Sequence, residues 1–185
     1  HPNQEPAPGV EYLIYDAESD LTIGVPSRNW EYPEVIGNVW AYDLEANTWT
    51  AHGVAPTSGL GFYDPVSGLV FAGEWTYDVE TDTWAPNPRG GDCPQQCVYD
   101  ASIDQALGYA GEEGVVLYDI RTGTLSKSGA DTPDCTMHAW AAPAVVYDEA
   151  AQRTVVAGAD RWGAYDAAAD RWEILFEIDG ENRPG

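Results

Sequence analysis

Four side chains near the middle of this chain have the residue types of a metal or redox site, at a spacing that matches no named zinc motif closely. Cys93, Cys97, Cys135 and His138 spell C-x3-C…C-x2-H over two separate segments. Three thiolates and an imidazole suit zinc, and Met137 beside them would suit Cu(I). The same sulfurs could instead be oxidised, with a Cys93–Cys135 disulfide, or alternatively Cys97–Cys135, stapling the segments together. Residue types alone leave metal, disulfide and unpaired cysteines all open, because only the fold can bring the two halves together.

A second group suits recognition. Trp30, Glu31, Tyr32, Arg89 and Trp140 set flat aromatic surfaces beside charged edges, the make-up of a carbohydrate or peptide platform. A nucleophile elbow, a phosphate loop and an H-E-x-x-H helix are all missing from the sequence. Paired carboxylates for glycoside hydrolysis cannot be picked out of 31 acidic residues by spacing.

Charge narrows the partners. Against those 31 acids stand 8 Lys and Arg, a formal net charge of −23, and Lys127 is the only lysine. A field of that sign repels phosphate backbones and anionic lipid heads, so nucleic acid is excluded. Cations, basic proteins or a salty medium are favoured. No run approaches the ~20 apolar residues that a membrane helix needs, so membrane insertion is not expected. The chain opens at His1 without a methionine, which points to a processed product in an extracellular or secreted setting.

The elements that must position these residues come from an internal repeat. Tyr-Asp followed by Trp six residues after the Asp occurs as AYDLEANTW (Tyr42, Asp43, Trp49), TYDVETDTW (Tyr77, Asp78, Trp84) and AYDAAADRW (Tyr165, Asp166, Trp172). A degenerate copy, LYDIRTGTL, places Leu125 in the Trp position. Another Tyr-Asp precedes each of these, at Tyr15, Tyr63, Tyr99 and Tyr147, followed by a polar turn and an apolar run ending at glycine. Each motif reads as strand, turn, strand. One repeat therefore encodes four antiparallel strands, a to d, and Asp16, Asp64, Asp100 and Asp148 recur at spacings of 48, 36 and 48 residues. Four strands per such period is the signature of a propeller blade. No segment sustains a 3.6-residue period, so helix is not expected.

These residues resemble the Kelch-type repeat, in the small-Gly end of strand b (Ala72-Gly73, Ala110-Gly111, Ala157-Gly158) and the Tyr…Trp pair over strands c and d. The family's paired glycine is Ala-Gly here, and Ile-Gly in the first repeat. The resemblance covers residues 11–178, with repeats at about 11–52, 59–86, 96–127 and 143–178, after a Pro-rich linker (1–10) and before a short tail (179–185). It implies an all-β propeller of four-stranded antiparallel blades, either a four-bladed ring or a segment of a larger one. All four repeats are in phase, so no strand exchange between the chain's ends is expected to latch a ring.

In a blade of this type the b–c and d–a loops share one face, and the short a–b and c–d turns share the other. The long, varied connections hold Trp30, Glu31, Tyr32, His52, Arg89, Cys93, Cys135, His138 and Trp140. The resemblance implies a scaffold, mostly of binding domains, so the expected function is a non-catalytic module for a protein or glycan ligand, with no cofactor. The rivals are a copper- or zinc-dependent oxidoreductase-like propeller and a structural segment that associates with other propeller chains. Galactose-oxidase-like enzymes share this blade type, but their copper motif has no match among His1, His52 and His138.

Overall fold

Every Tyr-Asp pair closes one strand and opens one hairpin. The Asp carboxylate accepts hydrogen bonds from backbone N–H groups two or three residues on: Asp16 from Glu18 (3.0 Å), Asp64 from Val66 (3.0 Å), Asp100 from Ser102 (2.9 Å) and Asp119 from Arg121 (2.8 Å). Asp43, Asp78, Asp148 and Asp166 do the same for Ala46, Thr81, Ala150 and Ala169. This is the Asx turn, in which a short side chain stands in for backbone. Five residues after each Tyr the backbone enters the left-handed region, at Asp20, Asn47, Gly68, Asp82, Asp104, Gly123, Gln152 and Asp170 (φ 47–71°). Asp, Asn and Gly tolerate that conformation best, which explains seven of these eight choices directly.

A computed structural model describes residues 10–26, 37–56, 61–89, 97–109, 114–133, 135 and 144–177. They form sixteen strands and no helix. The first blade comprises β1 (Val10–Asp16), β2 (Leu21–Pro26), β3 (Asn38–Asp43) and β4 (Thr48–Val54). The second comprises β5 (Gly61–Asp64), β6 (Leu69–Ala72), β7 (Trp75–Asp78) and β8 (Thr83–Pro86). The third holds β9 (Cys97–Asp100), β10 (Gln105–Tyr109), β11 (Val115–Asp119) and β12 (Thr124–Lys127). The fourth holds β13 (Ala144–Asp148), β14 (Arg153–Ala157), β15 (Arg161–Asp166) and β16 (Arg171–Glu177). Each sheet is four-stranded and antiparallel with strands in chain order, so the fold is an all-β propeller type with four blades. Within the described residues no strand is exchanged between blades. No helix is long and apolar enough to cross a membrane.

The chain divides into two compact units, residues 1–93 and 94–185, each holding two blades. Register assigns every blade two unlike faces. In the first blade Tyr15, Thr22, Tyr42 and Trp49 line up across the four strands on one face, while Ile14, Ile23 and Ala41 line up on the other. Period-2 alternation dictates this separation. In the first unit the aliphatic face of the first blade (Ile14, Ile23, Val25, Val39, Ala41) packs on the tyrosine face of the second (Tyr63, Val70, Tyr77, with Trp84). The second unit repeats the arrangement: Leu107, Val115 and Tyr109 of the third blade meet Tyr165, Val156 and Trp172 of the fourth. Tyr–Trp pairs across strands c and d sit with ring centroids 4.8–5.2 Å apart at Tyr42–Trp49, Tyr77–Trp84 and Tyr165–Trp172. That close, tilted geometry adds to their area burial.

Two glycines of the second unit sit where neighbouring groups leave no room for a side chain. A Cβ on Gly158 would overlap the carbonyl of Cys135 and stand 3.0 Å from that of Arg161, and one on Gly163 would meet the Trp172 ring at 2.8 Å. The Arg161 carbonyl is held in place, because Gly158 N–H donates to it to close the b–c turn. Gly158→Ala should therefore destabilise the second unit by on the order of 3 kcal/mol, the upper range for overpacking. Gly53→Ala, whose Cβ would meet only the Asp82 carboxylate at 3.6 Å, should cost far less. Urea unfolding of the two variants checks the contrast.

Candidate functional site

The blade junctions carry the densest polar chemistry among the described residues. At the end of β4 the His52 ring nitrogen Nδ1 lies 3.4 Å from Asp82 Oδ1, in the c–d turn of the second blade. The same oxygen accepts hydrogen bonds from Tyr77 Oη (2.8 Å) and the Gly53 N–H (3.1 Å). The His52 ring stands edge-on to Tyr77, centroids 6.4 Å apart, and its carbonyl accepts a hydrogen bond from Asn38 Nδ2 (2.6 Å). A histidine, a carboxylate and a phenol in mutual reach are the ingredients of acid–base catalysis.

The second unit shows what this constellation is. Asp170, in the c–d turn of the fourth blade, accepts hydrogen bonds from Tyr165 Oη (2.6 Å), Ser128 Oγ (2.6 Å) and the Gly129 N–H (3.1 Å). Ser128 and Gly129 follow β12 just as His52 and Gly53 end β4. The geometry survives replacement of His by Ser, so its common content is a strap. A carboxylate in the left-handed turn position ties the end of one blade's outer strand to the next blade. Sequence reasoning singled out His52 but missed Asp82 and Asp170. The available signal was an Asp five residues after a Tyr, directly before a Thr-Trp or Arg-Trp pair.

A second strap joins the a–b turns. Asp100 is fully buried and takes hydrogen bonds from Ser102 Oγ (2.6 Å) and from Thr154 Oγ1 of the fourth blade (3.1 Å). In the first unit Asp16, also buried, takes one from Ser19 Oγ (2.7 Å) and meets the Tyr63 hydroxyl of the second blade. These carboxylates are structural acceptors.

The straps amend the division of loops into two separate faces. Residues at the end of strand d, expected among the ligand-facing connections, reach the c–d turn of the next blade.

The cysteine reading is amended as well. Cys135 is fully buried, not displayed on a loop, and packs with Tyr109 and Val156 in the interblade core of the second unit. Its N–H donates to Tyr109 Oη (3.0 Å), which donates in turn to the Pro133 carbonyl (3.1 Å). Cys97 is buried on β9. Among the described residues no disulfide is formed, including the Cys97–Cys135 alternative, and no cluster of three His, Cys, Asp or Glu is placed to hold a metal. Cys93 and His138 lie outside the described residues, as do Trp30, Glu31, Tyr32 and Trp140. Arg89 is exposed after β8, in a turn whose Asn87 Oδ1 accepts the Arg89 N–H (3.0 Å).

The straps set the pH response. Burial pushes Asp82 upward, but the donors from Gly53, Tyr77 and His52 outweigh it and hold the carboxyl below its ordinary 3.8. Asp170 is lowered by its hydrogen bonds from Ser128 and Tyr165. Burial, then the hydrogen bond to Asp16, pushes Tyr63 up to about 12. Burial, then Asp170, does the same for Tyr165, also to about 12, and Tyr77 is raised further still. The depressed carboxylates release protons on folding, so their contribution is present above about pH 4 and fades as pH falls through their folded values. The raised phenols act in the opposite sense: their contribution is present below about pH 10 and is lost as pH climbs toward their folded values. Asp82→Asn should cost about 0.5–1 kcal/mol at pH 7, given its exposure, and flatten the acid limb of the stability curve. Urea midpoints at pH 3, 7 and 10.5 test both signs.

No family model matches the chain, and no curated protein matches it. Among solved structures it is similar to one described as the extracellular domain of the hybrid two component system BT4673 from B. thetaiotaomicron, at 9% identity and a TM-score of 0.50. The match covers 85% of this chain and 21% of that one, so the chain spans about a fifth of its length. At this identity the likeness shows the fold alone.

Proposed function

We propose that this chain is a non-catalytic, Kelch-like binding module that works outside the cell and engages a protein or carbohydrate through its b–c and d–a connections. The observation that carries the reading is a division of labour among polar side chains. The eight Tyr-Asp turns spend their carboxylates and hydroxyls on their own backbone and on the neighbouring blade. Trp30, Glu31, Tyr32, Arg89 and Trp140 belong to connections that differ from blade to blade, so no shared turn geometry dictates them. Variable connections on rigid blades are where binding residues collect.

Charge then selects the ligand class. A net −23 disfavours sulfated or phosphorylated ligands and favours neutral glycans and basic peptides. The similar structure being an extracellular domain is consistent with that setting. Arrays of neutral oligosaccharides and of basic peptides provide the test. Wild-type protein should bind a restricted set, and Trp30→Ala, Tyr32→Ala and Trp140→Ala should each weaken it by about tenfold, the loss of one aromatic contact of roughly 1.4 kcal/mol. Binding unchanged in the triple variant would refute this site.

A further inference from the structure

Tyr109 stands outside the Tyr-Asp pattern. It ends β10, is followed by Ala110, and is buried. Register tells what its position requires. Ala106 pairs with Tyr118 as Thr22 pairs with Tyr42, so Tyr109 matches Val25 of the first blade. The same count gives Ala157 in the fourth blade and Gly73 in the second. Valine, alanine and glycine serve there without a hydroxyl, so blade pairing does not call for the phenol.

The hydroxyl is spent on the connection between β12 and β13, the longest between any two strands. Tyr109 Oη donates to the Pro133 carbonyl (3.1 Å) and accepts the Cys135 N–H (3.0 Å). A buried phenol is costly unless paired, so these two bonds fix where Pro133 and Cys135 lie. Cys135, fully buried, sets its carbonyl against Gly158. Ala144, which opens β13, pairs with Ala157, the residue before Gly158. The segment between Cys135 and Ala144 therefore starts and finishes at one place in the second unit. The matching connection of the first unit, 55–60, is shorter and is tied by the Ala55 N–H to the Gly37 carbonyl (3.3 Å).

His138 and Trp140 belong to that closed segment and lie outside the described residues. We propose that Tyr109 is a positioning residue of the ligand site, holding the base of the segment that carries Trp140. The role rests on the binding reading above and adds to it the group that pre-organises one aromatic contact. Without the anchor the free run would reach back toward Ala130, which packs against the core of Leu107 and Tyr165. A longer free run has more conformations to lose on binding.

Tyr109→Phe keeps the ring in the core and removes the anchor. Thr154→Val is the control: it removes the hydroxyl given to Asp100 in the same unit (3.1 Å) and touches no described part of the connection. Amide exchange should show Cys135 protected in the wild type and in Thr154→Val, and released in Tyr109→Phe. Titration calorimetry would use the array member, neutral oligosaccharide or basic peptide, that wild type binds most tightly. Tyr109→Phe should bind it about tenfold more weakly, as when the competent conformer falls to about a tenth. Thr154→Val should bind as wild type does. Equal binding by Tyr109→Phe and wild type would overturn the role and leave the site itself standing. Equal weakening in both variants would overturn it too, because lost stability alone then explains the effect. Cys135 protection that persists in Tyr109→Phe would overturn it as well, since the anchor then lies elsewhere. If wild type binds nothing on the arrays, the binding reading fails first and this role falls with it.

Discussion

A phenol hydroxyl reaching five residues forward to a turn residue in left-handed backbone is the contact on which this architecture rests. Tyr15, Tyr42, Tyr77, Tyr99 and Tyr165 donate to Asp20, Asn47, Asp82, Asp104 and Asp170 over 2.6–2.8 Å. The following Asp fixes the start of the same turn through its own backbone neighbours. Between them the two side chains hold both ends of a four-residue hairpin loop, and so set the register of the strands on either side. Register in turn decides which residues share a face. Shifted by one residue, each blade would bury Tyr and Trp where Ile and Val belong, and the junctions would not form.

The same turn residues also connect blades. Asp82 and Asp170 each take a backbone N–H from the preceding blade, and Asp100 takes the Thr154 hydroxyl from the following one. Much of the chain's acidity is therefore constructional. An Asp follows every motif Tyr, and four of the left-handed positions are Asp too. Those charges are accepted where backbone N–H groups and phenols can neutralise them locally, and the shifts of Asp82 and Asp170 record that compensation. A surface acidic only for solubility would not be so ordered.

The blades were legible in the sequence because their signal is repeated: the Asp-to-Trp offset of six holds in three copies, and alternation fixes the faces once the turn is placed. Strand order within each sheet followed from short turns, which force sequential neighbours to pair. The straps were not legible, since Asp82 and Asp170 share their residue type and turn position with Asp20 and Asp104, and differ by what lies opposite them in another blade. Cys135 misled for a related reason. Its Pro-rich neighbours suggest an exposed loop, yet its carbonyl runs against Gly158, a constraint written in a glycine 23 residues away. Side-chain type reports local conformation well and long-range approach poorly. The platform candidates Trp30, Tyr32 and Trp140 were legible only as residue types in irregular connections, where no period reports geometry.

Amide hydrogen exchange at Gly53 and Gly129 tests the interblade strap most directly. Both residues are exposed at the ends of outer strands, where an amide without a partner exchanges at nearly the free rate. If Asp82 and Asp170 bind them as described, both amides should be protected, and Asp82→Asn should release Gly53 while leaving Gly129 unchanged. Exchange at the free rate for both amides in the wild-type protein would contradict the account.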